Sequence, residues 1–448
     1  MNLKNILKIS AIIIGLGVVS TPFIYQQQIN KTLDIATKEL KQNNILIQEN
    51  QNNDTFVKLN REYILTIEDS TYLIKKLYPE IDPITLQELK SLLDGSKILV
   101  TLNFIKYPIY HKNAITLTLL SLNETLNNEL KSEKTGLELL NFIKNKGLEA
   151  FIDIDNLKIS QAKLKDINLK LTENQKFLNF IISNSSIKFN NNDTKVHISN
   201  IKLETKDNTS FLFNISNINY DIKYKNDFNY KSDLTIDSIK YKQQAQINQD
   251  VVALNNIYIK SNSNSTLDRV NLLSDVKFDD FSITTQNSYF NNNLKIENFR
   301  FNFKLEKIDL NSLKNISNAL QKNNYINMEK NLQTILNQGF SIKINPLSLK
   351  KASLNIDSQK LDISKISINF NAKVKKNKLD INNINNILNY ADMDLNIITT
   401  KENINLLENF APISTIYLQN IIVEKNNHIM INLSYKNNKL LSNGKKLF

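Results

Sequence analysis

Cysteine is absent from the 448 residues, and tryptophan with it. The first absence removes thiolate nucleophiles, disulfides, iron–sulfur ligation and cysteine-based zinc sites together. It is compatible with an oxidising compartment but does not assign one. Glycine and proline are nearly as scarce, at seven and six. Turns therefore fall to asparagine, which tolerates left-handed backbone angles and closes local side-chain hydrogen bonds. Asn191-Asn192 and Asn437-Asn438 are the pairs expected to serve. Arginine is confined to Arg61, Arg269 and Arg300, so the bidentate forks that read guanine or grip phosphates are almost missing. The formal charge of +12 is carried by lysines scattered along the chain. They read as a solvated face, with attraction to anionic headgroups secondary, and nucleic acid is not an expected partner.

Catalytic constellations are missing too. The three histidines, His111, His197 and His428, lie far apart in sequence, none in an HExxH or HxH context. No GxGxxG, GxxxxGKS or GxSxG occurs, and Gly15 and Gly17 fall within an apolar stretch. Asp279-Asp280, and Asp392 with Asp394, are carboxylate pairs of the kind that bind a cation or flank a glycosidic bond, yet they read more simply as solvated strand ends. Tyrosine and phenylalanine sit at strand spacing, which favours core packing over a stacking platform. No residue is assigned a catalytic, cofactor-binding or metal-binding role, and no cofactor is expected. The chain reads as a non-enzyme, with a hydrolase the class left open.

Lys4 and Lys8 precede an uncharged stretch of about 17 residues, Ile9 to Tyr25, at the short end of what spans a bilayer core. Positive charge on its N-terminal side predicts an N-in orientation with the body translocated. The competing reading is a cleaved signal peptide, with Val18 and Ser20 at the small-residue positions; Pro22 just beyond the cut, and Phe23 to Tyr25 continuing the apolar run, favour an anchor. A buried soluble helix is a third reading. Ile29, Leu33, Ala36 and Leu40 then recur at helical spacing, a narrow stripe that packs on the body or pairs with a second copy.

Asp82-Pro83, then Leu86, Leu89 and Leu93, then Gly95, spell a helix with N-cap, first-turn proline and terminal glycine. A second helix is predicted from Thr135, with Glu138 completing a capping box, Leu137, Leu140 and Ile143 inward, and a stop at Gly147. A helical period also runs from Ser312 to Gln338 and closes at Gly339. Elsewhere the period is two: Ile198 to Leu203, Ile215 to Tyr224, Leu234 to Tyr241, Leu254 to Ile259, Lys277 to Thr284 and Lys295 to Leu305 alternate apolar with polar, as half-buried antiparallel strands do. A short phrase recurs in them, apolar, any, Asp or Asn, apolar, any, apolar: at Ile215 to Tyr220, at Leu254 to Ile259, and again at Leu418 to Val423. Its irregular spacing describes stacked similar strands rather than a strict solenoid.

The fold class is thus α+β, predominantly antiparallel β: an extended curved sheet body with a few packing helices, preceded by one N-terminal transmembrane helix. The expected domains are a membrane anchor (1–25), an amphipathic helical linker (26–45), a strand-rich body with two short helices (46–305), a helical pair (306–340) and a C-terminal strand-rich region (341–448). At this length one elongated sheet body or two abutting domains is expected.

Four phrases are shared with a family of proteobacterial envelope proteins: Thr21-Pro22-Phe23 after the apolar segment; Tyr107-Pro108-Ile109-Tyr110-His111; Ile344-Asn345-Pro346-Leu347-Ser348-Leu349; and the closing run Tyr435 to Lys445 with its Asn443-Gly444-Lys445. On them the chain resembles the YdgA-like family of uncharacterised proteins. It departs from that family in lacking a glycine at Tyr25 to Gln28 and an Arg-Gly-aromatic-Ser phrase near Asn60 to Ser70. The resemblance implies inner-membrane attachment and self-association, and supplies no catalytic residues.

The expectation is a single-pass inner-membrane protein, N-terminus cytoplasmic and body periplasmic, held through residues 9–25 and acting as a structural or interaction protein of the envelope. The alternative is a lipid-binding or lipid-transport protein using an apolar groove in a curved sheet. A homo-oligomer and phospholipid are the partners these readings imply.

Overall fold

The computed structural model describes residues 27–55, 58–106, 114–155, 158–173, 176–207, 209–226, 228–245, 247–287, 290–321, 324–357, 359–377, 388–410, 421–425 and 427–447. The apolar segment 9–25, the phrase at 107–111 with His111, the phrase at 21–23, and the first half of the third strand phrase (418–420) lie outside them. Among the described residues no helix is long and apolar enough to cross a membrane. Contacts divide the chain into two units, one holding the residues up to Asn190 with Val196–Asp207, the other Asn191–Lys195 with Asn208–Phe448.

In the first unit, strands β1 (Ile45–Asn52), β2 (Lys58–Ile67), β3 (Lys97–Ile105), β4 (Ile115–Ser121), β5 (Glu149–Asp155) and β6 (Lys158–Leu164) pair antiparallel in chain order. β6 and the next strand, β7 (Ile167–Glu173), share one long partner, β8 (Lys176–Asn190). The helical stripe forms as expected, over residues 27–42 (α1). Its Ile29 is buried with Leu59, Leu102, Phe104 and Ala114, and Leu33 packs against the same cluster. The stripe is thus used on the chain's own sheet.

Helices α2 (Thr71–Leu77) and α3 (Pro83–Leu93) join β2 to β3, and α4 (Glu124–Lys131) and α5 (Lys134–Lys144) join β4 to β5. Asp82 caps α3 by accepting from the amides of Ile84 and Thr85, and Gly95 takes φ +86° after it, as the spacing predicts. The capping box at Thr135 does not form. α5 starts one residue earlier behind Glu133, and Glu138 accepts from the Thr172 amide at 3.2 Å instead. The reason is the joint with α4: Gly136 lies so close to Leu130 that an added Cβ would sit 2.0 Å from its carbonyl oxygen. Ile143 is buried as expected, but Leu137 is exposed. The body therefore has four short helices rather than two; α2 and α4, at seven and eight residues, are too short for a helical period to declare itself.

The second unit is a meander. β10 (Ser210–Asn226), β11 (Asn229–Gln244), β12 (Gln249–Ser265), β13 (Arg269–Gln286), β14 (Asn291–Asp309), β15 (Phe340–Ile356), β16 (Gln359–Val374) and β17 (Ala391–Thr400) each pair antiparallel with the next. β17 then pairs with β19 (His428–Lys436), which also holds β18 (Ile422–Lys425) and β20 (Lys439–Ser442); β21 (Lys445–Lys446) closes on β20. Asparagine makes turns as expected: Asn191 (φ +44°) follows β8, and Asn437 and Asn438 (φ +50° and +61°) join β19 to β20.

The helical pair is α6 (Leu310–Gln321) and α7 (Tyr325–Gln338), set between β14 and β15. The expected boundary at 305/306 is no domain boundary, because β14 runs on to Asp309 and pairs with β15 across the insertion. Another helix, α8 (Lys401–Phe410), follows β17 within the region expected to be strand-rich. One buried cluster of this unit is Val270, Ile308 and Leu310, with Leu305, Leu313, Ile335 and Phe340 packed round them at the helical end; Ile257, Val374, Ile429 and Ile431 are buried elsewhere in the sheet.

Candidate functional site

Every predicted alternating window lies inside a longer strand, and strands β10 to β16 share a change of phase. In β10 the apolar residues are Phe211, Phe213 and Ile215, then Ile218, Tyr220 and Ile222, odd numbers before Asn217 and even numbers after it. The same step occurs in β12 around Asn256, in β14 around Asn298 and in β16 around Lys365. These four residues take φ of +51°, +53°, +52° and +40°. In the strands between, β11, β13 and β15 change phase at Asp237, Asp279 and Lys350. The register sets all seven in one line, since Ser216 opposite Ser238 and Ile218 opposite Ile236 put Asn217 facing Asp237, and so on strand by strand.

All seven side chains on this line are exposed. Amide donors meet carboxylates along it: Asn217 Nδ2 donates to Asp237 Oδ2 at 2.6 Å, and Asn256 Nδ2 to Asp279 Oδ2 at 2.8 Å. Each strand spends one extra residue on its polar side, matched one-to-one by its neighbour so that the register is unbroken, and thereby keeps its apolar residues on a single side. The recurring strand phrase marks this line, with its Asn at the left-handed position in Asn217 and Asn256.

The result is one continuous apolar face. A single cross-strand row reads Tyr220, Leu234, Ile259, Val276, Phe301, Leu347, Ile368 and Ile397. Phe278 stacks on Phe299 at 4.8 Å between ring centres, and Phe211 meets Tyr241 edge-on at 5.5 Å. With strands about 3.3 Å per residue long and about 4.8 Å apart, the face spans roughly 50 by 34 Å. A soluble monomer seldom exposes an apolar patch above a few hundred Å². Yet the residues of that row are only half-buried, and the Val270 cluster lies at the α6–α7 end.

The opposite face is polar. It carries a cavity of about 430 Å³ lined by Asn369, Asn396, Asn432 and Asn443, in which Asn396 donates to Asn432 and Asn432 to Asn443. Arg300 grips Asp275 through two contacts of 3.2 Å, and with Lys277 it holds the Asp275 carboxyl below the usual range in spite of its burial.

The carboxylate pairs of the sequence are separated by their partners. Asp279 accepts from Asn256, while Asp280 faces Glu297 in the register. Asp392 is held by Lys375 at 3.0 Å and Asp394 by Lys436 at 2.9 Å. His197 stands on β9 (Asp193–Lys206), its Nε2 3.0 Å from Ser199 Oγ and 3.4 Å from Asn184 Nδ2, and His428 opens β19 opposite Thr400 and Lys425. No group of three or more potential metal ligands occurs among the described residues. The lysines are not all scattered in space: Lys307, Lys343, Lys373, Lys375 and Lys376 converge on one basin with Arg269. Only the Lys373, Lys375, Lys376 run was a signal of this in the sequence. Comparison with protein families, with curated proteins and with solved structures found no match.

Proposed function

We propose that this chain is a membrane-attached envelope protein that holds lipid acyl chains on the apolar face of β10–β17. One observation carries the reading: eight consecutive strands turn a continuous apolar surface to one side, and the helical pair packs at one end of it. The shared change of phase keeps that surface apolar along the whole length of the strands, wide enough for acyl chains to lie on. The surface is built from Ile, Leu, Val and Phe with a few Tyr such as Tyr220 and Tyr241, and it offers neither tryptophan nor arginine to fix a protein partner. A fluid apolar occupant makes no directional demands and suits such a wall. The apolar stretch 9–25 fits attachment to the inner membrane with the body on the periplasmic side, and the YdgA-like resemblance belongs to the same reading.

Photocrosslinking in growing bacteria tests it. A photoreactive residue at Ile283, on the apolar face, is expected to capture phospholipid, and one at the neighbouring Thr284 is not. Capture of a second copy of the chain at Ile283, without lipid, would overturn acyl-chain binding in favour of a structural self-association.

A further inference from the structure

A second site lies on the polar face, at the end where α7 meets the sheet. Here a basin of about 530 Å³ is lined by six cations, Arg269, Lys307, Lys343, Lys373, Lys375 and Lys376, against one carboxylate, Glu306.

Local structure draws them together. Lys307 takes φ +63°, a conformation unfavourable for a side chain with a Cβ, and is pinned there from both sides. Its amide donates to Asn271 Oδ1 at 2.9 Å, and its carbonyl accepts from Arg269 Nη1 at 2.8 Å. Gly339, at φ +74°, packs so closely on the end of β16 that an added Cβ would lie 2.7 Å from the Val374 oxygen and 2.8 Å from the Lys376 nitrogen. That approach brings Lys375 and Lys376 into the basin.

The charges are only partly neutralised. Lys375 is paired with Asp392, and Lys343 with Glu306 at 2.6 Å. Glu306 also takes Lys304 and the Ser341 hydroxyl, and these donors press its carboxyl down to about 2. It has little capacity left for another cation. Arg269 is oriented by neutral oxygens, those of the Lys307 carbonyl and of Gln338. Among the described residues no carboxylate stands within ion-pair distance of Lys307, Lys373 or Lys376, so the basin keeps several unbalanced positive charges round a fixed guanidinium. Strain held in place by its surroundings is a mark of functional sites.

We infer that the basin binds a phosphate group, from a lipid headgroup or free in solution, with Arg269, its terminal nitrogens held by protein oxygens, as a fixed positive charge and Lys307, Lys373 and Lys376 as the ammonium donors. Ammonium groups supply point charges and donors to phosphate oxygens, and the guanidinium adds a charge that cannot be lost. The site opens on the polar side and does not depend on acyl chains occupying the other.

Calorimetric titration of the full chain in a neutral maltoside detergent tests this, with inorganic phosphate, dihexanoyl phosphatidic acid and dihexanoyl phosphatidylcholine as probes. At least one of the first two is expected to bind, with affinity falling about fivefold for each lysine removed in Lys373→Gln and Lys376→Gln. Both positions are exposed, so the fold is retained, and circular dichroism verifies it. Phosphatidic acid binding well above inorganic phosphate identifies a headgroup site; equal binding identifies free phosphate. Binding of neither, binding indifferent to the double substitution, or equal affinity for the zwitterionic phosphatidylcholine would overturn the inference. Because inorganic phosphate has no acyl chain, and crosslinking at Ile283 reads no phosphate, either site can fail without the other.

Discussion

Asn256 donates its side-chain amide to Asp279 across the β12–β13 pair at 2.8 Å, and both residues stand on the line where the apolar alternation of their strands changes phase. Asn256 does so from φ +53°, and Asp279 from an ordinary strand conformation. The left-handed residue and its acceptor therefore belong to neighbouring strands, and the pair ties the two phase changes together.

Replacing Asn256 separates the two contributions. Asn256→Val forces a branched side chain into the left-handed region and is expected to cost about 1–2 kcal/mol. Asn256→Gly loses the amide but meets no steric penalty, so its cost is expected to be the smaller. Urea denaturation followed by circular dichroism measures both; equal midpoints for the two variants would show that the backbone conformation contributes nothing.

Deleting Asn298 is expected to be far worse than substituting it. Without that residue Phe299, Phe301 and Phe303 shift by one position and turn to the solvent side, while Leu294 and Ile296 stay where they are. The deletion is expected to yield aggregated or protease-sensitive protein, and Asn298→Gly a soluble one. Limited proteolysis of the two decides the matter.

Strand identity was legible in the sequence, and strand extent was not. Ile215 to Tyr224 and Leu254 to Ile259 were found although Asn217 and Asn256 reset the count inside them; β10 and β12 begin earlier, where the consecutive apolar residues Phe211 to Phe213 and Val251 to Ala253 hide the alternation. The recurring phrase was the visible trace of that reset, but only the register shows that its members align. Asp82-Pro83 announced α3 because capping is a local matter. The capping box at Thr135 failed because Gly136 answers to a contact with Leu130 that no window of sequence contains. The apolar face was anticipated as the covered side of a sheet, whereas the basin was invisible: Arg269, Lys307 and Lys373 are joined only by turns and helix ends.

Gly136→Ala tests the joint between α4 and α5. Alanine is the better helix former, so propensity alone favours the change by about 1 kcal/mol. The backbone contact predicts the opposite, a loss of about 1–3 kcal/mol as the helices are pushed apart. A rise in the urea midpoint would exclude the close contact.

Glu306 makes stability depend on pH in a stated direction. Its carboxyl is lowered from 4.5 to about 2 by Lys304, Lys343 and Ser341, so the folded state holds the charged form more firmly than the unfolded chain does. The stabilisation is complete above the unfolded value and is lost as pH falls from about 4.5 toward 2. Glu306→Gln is expected to lower the urea midpoint at neutral pH and to converge with the unsubstituted protein at the acid end. Parallel curves across that range would refute the assignment.

Left-handed residues occupy β10, β12, β14 and β16 and skip the strands between. The repeating module is accordingly two strands and their turn. A chain of this kind can be lengthened or shortened by whole hairpins without disturbing the pattern, whereas gaining or losing one strand would set two left-handed positions, or two ordinary ones, side by side. The width of such a wall comes in steps of about 10 Å.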